Sequence, residues 1–262
     1  MKGDVSVNNL SFTYPDGSNA LNNLSIQIRN KEKVAILGAN GAGKTTFVMH
    51  LNGVNRIQKG TVIIGGEDLN DDNINSIRKE VGIVFQDPDN QLFMPTVYED
   101  VTFGPKNFGF DDKEIEKNAK MALDLVGMYD HKDKAPYHLS LGQKRKVSIA
   151  TVLASKPKVI VFDEPSSNLD PSSRRELIEI IKSLNCTIIL VTHDIPLALE
   201  LCPRTVVIDE GKILCDMDIT EFLANEKLMK KSRIELPFGF ELHHRFHHLE
   251  EDAKETMHKH SS

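Results

Sequence analysis

The sequence predicts an α/β fold with a parallel sheet at its core, an antiparallel β subdomain beside it and an inserted helical lobe. Three observations carry this expectation. Short apolar runs at 34–37, 159–162 and 188–191 have the composition of strands buried on both faces. These runs alternate with helical stretches, as parallel strands joined by crossovers require. From about 87 to 156 the strand signals stop. There Ile115, Ala119, Ala122, Leu123 and Val126 recur at i, i+4, i+7, i+8 and i+11, one face of an amphipathic helix.

Taken in order, residues 4–30 alternate in polarity and are broken by turns, as is Gly60-Thr61-Val62-Ile63-Ile64-Gly65-Gly66. Both stretches read as antiparallel strands on one side of the core. Lys33-Val34-Ala35-Ile36-Leu37 reads as a buried strand, followed by a Gly-rich loop and a helix that Gly53 ends. Val159-Ile160-Val161-Phe162 and Thr187-Ile188-Ile189-Leu190-Val191 supply two more core strands. From about Asn225 the chain turns polar and His-rich. The expected division is a domain over 1–224, its helical lobe at about 87–156, and a tail over 225–262.

Composition narrows the function. The 262 residues carry 32 Lys+Arg against 38 Asp+Glu, a formal charge of −6, with 40% hydrophobic and 27% charged residues. That is the profile of a soluble globular chain rather than a disordered one. No apolar run approaches the roughly 18 residues of a spanning helix, and the N-terminus does not read as a signal peptide. Cys186, Cys202 and Cys215 are odd in number and never in a C-x-x-C pair, so they read as reduced space-filling thiols. The acidic balance gives no footprint for nucleic acid. Membrane association must then come through a partner.

Gly38-Ala39-Asn40-Gly41-Ala42-Gly43-Lys44-Thr45, followed by Thr46, fits G-x-x-x-x-G-K-[ST] between a predicted strand and a predicted helix. Phosphates need many donors at close range. Glycines admit backbone N–H groups, and the helix N-terminus adds a positive dipole end. Lys44 would reach the β- and γ-phosphates, and the Thr45 hydroxyl would ligate Mg²⁺. The expected core is therefore that of a P-loop NTPase. Asp163 and Glu164 end an all-apolar strand, where ligands sit in open α/β sheets. Asp163 would hold Mg²⁺ through water, and Glu164 would accept a proton from attacking water. Thr192-His193-Asp194 closes the next strand. There His193 could touch a γ-phosphate oxygen, although a lone strand-end His is more often structural.

With these motifs the chain resembles the ATP-binding subunits of ABC transporters over about residues 4–220. Gln86, after Val81-Gly82-Ile83-Val84-Phe85, looks like the Q-loop, and Leu139-Ser140-Leu141-Gly142-Gln143 like the signature. Ser167-Asn168-Leu169-Asp170 looks like the D-loop, His193 like the switch histidine, and Tyr14 like the aromatic that stacks on adenine. The resemblance implies ATP and Mg²⁺ as cofactors, with Thr45, Gln86 and Asp163 around the metal. It also implies a head-to-tail dimer, with itself or a paralogue, in which Ser140, Gly142 and Gln143 act in trans and Asp170 lies near the opposed site. On the residues alone, Ser140-x-x-Gln143 is a capping box opening an amphipathic helix, hence a second anion-binding helix end.

Two positions depart from the family pattern: Leu141 stands where Gly is usual, and Asn168 where Ala is usual. If position 141 needs φ > 0, Leu would cost on the order of 1 kcal/mol or more. The stretch 85–105, with Phe85-Gln86-Asp87-Pro88-Asp89-Asn90-Gln91-Leu92-Phe93 and Phe103-Gly104-Pro105, resembles the energy-coupling-factor group, importers of cobalt, nickel and vitamins. The resemblance implies that a transmembrane subunit docks near the Gln86 loop, on the cytoplasmic face of the membrane. Six of the ten histidines lie in the last 20 residues, with His243/His247 and His244/His248 spaced i, i+4. If the segment is helical that spacing suits a transition metal; the plainer reading is a polar tail.

The expected function is thus an ATPase energising an importer, for cobalt or nickel, with a vitamin importer as the alternative. A soluble ABC protein acting on DNA or ribosomes would show a coiled-coil insertion, zinc Cys pairs, twin cassettes or a basic surface. A module that senses ATP without hydrolysing it would lack Glu164 or His193.

Overall fold

The computed structural model describes residues 4–235, and the six tail histidines lie outside that range. Val5–Thr13 (β1), Asn19–Ile28 (β2), Lys59–Ile64 (β4) and Glu67–Asp68 (β5) form an antiparallel sheet in the order β2-β1-β4-β5. The second sheet contains Lys33–Leu37 (β3), Val81–Val84 (β6), Val159–Asp163 (β7), Thr187–Val191 (β8), Arg204–Asp209 (β9) and Lys212–Asp218 (β10). Its order is β10-β9-β3-β8-β7-β6, parallel except for β10 at one edge.

The apolar runs are explained by what covers them. Ala35 and Leu37 of β3, Ile160 and Phe162 of β7, and Ile188 and Leu190 of β8 enter the core under the helical lobe. Their neighbours Val34, Ile36, Val159, Val161, Ile189 and Val191 enter a second core shared with the antiparallel sheet. Alternate side chains point to opposite faces, so a strand covered on both faces is apolar along most of its length. The phosphate-loop helix Lys44–Leu51 (α1) buries Phe47, Val48 and Leu51 in that second core. Asn52 caps it, and Gly53 follows at φ 68.

The helical lobe holds Val97–Asn107 (α3), Asp112–Leu125 (α4) and Leu141–Leu153 (α5), and no strand lies between β6 and β7. All five residues of the predicted α4 face are buried. Thr96 and Asp111 cap α3 and α4 by accepting from backbone N–H groups of Glu99 and Glu114. After Ile74–Glu80 (α2), β6 is short and contains Gly82, whose side an added Cβ would bring within 2.3 Å of Val152.

Beyond the lobe come Pro171–Ser183 (α6), Ile195–Leu201 (α7), Ile219–Ala224 (α8) and Glu226–Ser232 (α9). The last of these carries packed structure past the boundary expected at 224/225. Met229 and Ser232 are buried, Ile234 packs on the core, and Arg233 pairs with Asp209 at 2.8 Å. A helix this short leaves little periodicity to read, and its apolar residues find partners only in the folded chain. The packed body therefore reaches residue 235. Among the described residues, no helix is long and apolar enough to cross a membrane.

Candidate nucleotide site

The phosphate loop runs from the end of β3 into α1. A Cβ on Gly38 would lie 2.2 Å from the Ile208 carbonyl, and one on Gly43 2.5 Å from that of Ala20, so neither position admits a side chain. Gly43 caps α1 at φ 105 with no side-chain acceptor, and the first turn carries no acid. The free N–H groups and dipole end thus face the loop 38–43, ready for anions. Lys44 Nζ donates to the carbonyls of Gly38 at 2.7 Å and Ala39 at 3.0 Å. Burial pushes its pKa down, opposed by the charges of Glu164 and Asp163. Ala42 is buried, whereas Asn40, Gly41 and Thr45 face outward.

Thr45 Oγ1 donates to Asp163 Oδ2 at 3.4 Å, across from the end of β7. Burial and the neighbouring Glu164 charge raise the Asp163 carboxyl above its ordinary value of 3.8, against the Thr45 bond and Lys44. A buried, electrostatically strained carboxylate facing a hydroxyl is a donor set that fits Mg²⁺. Gln86 is exposed just past β6, whose neighbour in the sheet is β7.

Glu164 adopts φ 47, a left-handed conformation that costs a non-glycine residue about 1–2 kcal/mol. Bonds on every side hold it there. Its N–H donates to the Val191 carbonyl at 2.8 Å, and Oε2 accepts from Thr192 Oγ1 at 3.1 Å and the His193 N–H at 3.3 Å. Oε1 lies 2.8 Å from His193 Nδ1. The carboxylate is nearly enclosed while the imidazole is largely exposed. With the Nδ1 proton directed at Glu164, Nε2 is left for a ligand.

Tyr14 meets α1 through its hydroxyl, 2.9 Å from Thr46 Oγ1, and its ring sits edge-on to Phe12 at 5.0 Å. Phe12 in turn meets His50 of α1 at 4.7 Å. The candidate adenine platform is therefore braced from the phosphate-loop helix.

Ser140, Gly142 and Gln143 stand apart from these groups. No hydrogen bond among the described residues joins them to the phosphate loop. They open α5, where Ser140 Oγ accepts from the Gln143 N–H at 3.3 Å and Gln143 Oε1 from the Ser140 N–H at 3.0 Å, the expected capping box. Leu141 is the first helical residue of α5 and not among the positive-φ residues, so the strain allowed for at this position does not arise. Asn168 does sit at φ 61, where Asn is tolerated better than Ala. Asp170 caps α6, accepting from the N–H groups of Ser172 and Ser173 and from Ser173 Oγ at 2.6 Å.

Sequence reasoning missed Arg145. It is 2% exposed and donates to the carbonyls of Phe85 and Gln86, both at 2.6 Å. Gln91 accepts from the Phe85 N–H and donates to the Ser148 carbonyl and Thr151 Oγ1, while Lys144 pairs with Asp89 at 2.6 Å. The Gln86 loop is thereby fastened to the signature helix. The C-terminal segment was missed as well: Arg233, Ile234 and Glu235 wall a cavity of about 360 Å³ that Gly38, Ala39, Asn40 and His193 also line. No local signal marks such contacts.

Fold and site together define a P-loop nucleoside triphosphatase, with a second helix end, that of α5, closed by a capping box away from the phosphate loop. A family model described as ABC transporter matches residues 21–167. An energy-coupling factor transporter ATP-binding protein of Carboxydothermus hydrogenoformans is 44% identical over 89% of this chain and 87% of its own length. The chain belongs to the ABC transporter family, as an ATP-binding and ATP-hydrolysing unit. The structure of CbiO1 from Clostridium perfringens, described as part of the ABC transporter complex CbiONQ, superposes with TM-score 0.78 at 36% identity, covering 96% of this chain and 100% of that one. A dimeric ATP-binding cassette, MJ0796, bound to ADP and Pi in a post-hydrolysis state, gives TM-score 0.74 at 28% identity over 82% and 98%.

Proposed function

We propose that this chain is the ATPase of an energy-coupling-factor importer for cobalt or nickel ions, working as a peripheral subunit on the cytoplasmic face of the membrane. The observation that carries the reading is the fastening of the Gln86 loop to the signature helix through Arg145. It links the nucleotide site to a surface where Phe93 and Phe103 stack edge to face at 4.9 Å with 63% and 42% exposure. Exposed paired aromatics beside that loop suit an amphipathic helix of a membrane subunit.

Two chains would face head to tail. Lys44 and the amides of 38–45 bind the phosphates, and Tyr14 stacks on adenine. Ser140, Gly142 and Gln143 of one chain reach the nucleotide of the other, with Asp170 at the opposed site. The dimeric MJ0796 cassette supports this arrangement. Thr45, Asp163 and Gln86 would hold Mg²⁺, which supplies charge neutralisation at the β- and γ-phosphates. Glu164 takes the proton of the attacking water while His193 Nε2 meets a γ-phosphate oxygen. The His-rich composition after residue 242 favours cobalt or nickel over a vitamin.

The test is Mg²⁺-dependent ATPase activity against protein concentration, beside Glu164→Gln and with Co²⁺ or Ni²⁺ added. Activity rising faster than linearly and lost in Glu164→Gln is expected of a homodimeric motor. A chain that binds ATP without turnover would instead require a paralogous partner. Calorimetric titration with Co²⁺ and Ni²⁺ reads metal binding by the chain, and no heat with either metal would remove the tail from the argument.

A further inference from the structure

We propose that Arg174 is a positioning residue for hydrolysis: through Asp194 it fixes the Glu164–His193 pair and joins that pair to the signature surface of the same chain. The inference rests on the roles of Glu164 and His193 given above. Arg174 Nε lies 3.1 Å from Asp194 Oδ2 and Nη2 3.0 Å from Oδ1, a two-pronged pair with both side chains mostly buried. Such a fork fixes the plane of the carboxylate as well as its place, which a lysine could not do.

Asp194 directly follows His193. Its N–H donates to Thr192 Oγ1 at 3.0 Å, and that hydroxyl donates onward to Glu164 Oε2 at 3.1 Å. The Asp194 carboxylate also accepts from the Leu197 N–H at 2.9 Å, starting α7, and from Ser166 Oγ at 3.0 Å. Ser166 belongs to the loop that leaves Glu164. One carboxylate therefore grips both segments of the hydrolytic pair, and Arg174 anchors that carboxylate to α6.

The same turn of α6 faces the signature. Ser173, next to Arg174, stands so close to Gly142 that an added Cβ would come within 2.5 Å of its hydroxyl oxygen. In a head-to-tail dimer the signature serves the opposite nucleotide. The first turn of α6 then touches the hydrolytic loop of one site on one side and a ligand-binding surface of the other site on its other side. A shift of His193 on loss of the γ-phosphate would be passed to Gly142 by a rigid helix end rather than by a loop.

The experiment compares Arg174→Met, which keeps the stem, and Arg174→Lys with the wild type, reading kcat, ATP affinity by calorimetry and thermal midpoint. The same Arg174→Met change is repeated on His193→Ala, with radiolabelled ATP to reach residual rates. Loss of geometry at a reacting centre predicts kcat lower by about tenfold in Arg174→Met, affinity within about twofold, and partial recovery in Arg174→Lys. On His193→Ala the Arg174 change should cost nothing further, because both act through one pair. An unchanged kcat in Arg174→Met overturns the proposal. So does a loss that adds in full to that of His193→Ala, or one that tracks a fall in affinity and midpoint. Glu164→Gln separates the two levels: a variant still hydrolysing at the wild-type rate would sink the assignment of the site, whereas an inactive Glu164→Gln beside a normal Arg174→Met sinks only the link.

Discussion

Gly142 lies against Ser173 so closely that a Cβ on it would meet Ser173 Oγ at 2.5 Å and Cβ at 3.1 Å. The signature glycine is thus fixed by the approach of α6, not by its own backbone angles. The neighbouring position is different. Leu141 opens α5 in ordinary helical geometry and points an exposed side chain outward.

Gly142→Ala should therefore displace Ser173 Oγ from Asp170, a steric cost set against the helix-propensity gain of alanine. Denaturant unfolding reads this cost, and ATPase activity should fall with it if the helix end serves a partner's nucleotide. Leu141→Gly, in contrast, has no strain to relieve. It should lower stability by up to about 1 kcal/mol, the helix-propensity difference. A gain in stability at 141 would contradict the geometry.

Tyr14→Phe keeps the ring and deletes the hydroxyl that meets Thr46. A net hydrogen bond of about 0.5–1.5 kcal/mol corresponds to roughly 2- to 10-fold weaker ATP binding, if the bond preorganises the platform. Calorimetry with ATP measures it. Equal affinity would mean that the ring alone matters.

Asp163 carries a stability cost. Its carboxyl titrates above 3.8 because burial and Glu164 oppose ionisation. Folding therefore favours the protonated form. The stability this gives is complete below 3.8 and is lost as pH rises through the raised value. Asp163→Asn should accordingly melt higher than the wild type at pH 7, with the gap closing toward pH 4. The same variant should lose Mg²⁺-dependent hydrolysis, since the amide is a poor ligand for the ion.

The three thiols should resist alkylation. Burial pushes Cys202 up to about 12 and Cys186 up to about 11, and raises Cys215 as well. At pH 8 the thiolate fraction of Cys186 is then about one in a thousand, and the thiolate is the reactive form. Mass spectrometry after brief iodoacetamide treatment should find less than about a tenth of each modified in the native chain. All three should react in denaturant.

The residues of the candidate nucleotide site were legible because their chemistry is local. The run 38–45 must be Gly-rich for amides to approach phosphate, and β3 and α1 flank it within a few residues. β7 announces itself because both its faces are covered, which also places Asp163 and Glu164 at its end. The α4 face and the Ser140 capping box follow from helical spacing alone.

What tertiary structure decided is every relation between distant segments. Arg145 reads in sequence as one more charged helix residue, and only the folded chain brings Phe85 and Gln86 to it. Arg174 and Asp194 are 20 positions apart and become partners when α6 and α7 pack. Residues 225–235 look like the start of a polar tail, yet Met229 and Ile234 find the core and Arg233 finds Asp209. Motifs are set by the spacing along one element, which the chain carries with it. Contacts across elements depend on where helices and strands come to rest, and that is set by burial of the whole apolar surface at once.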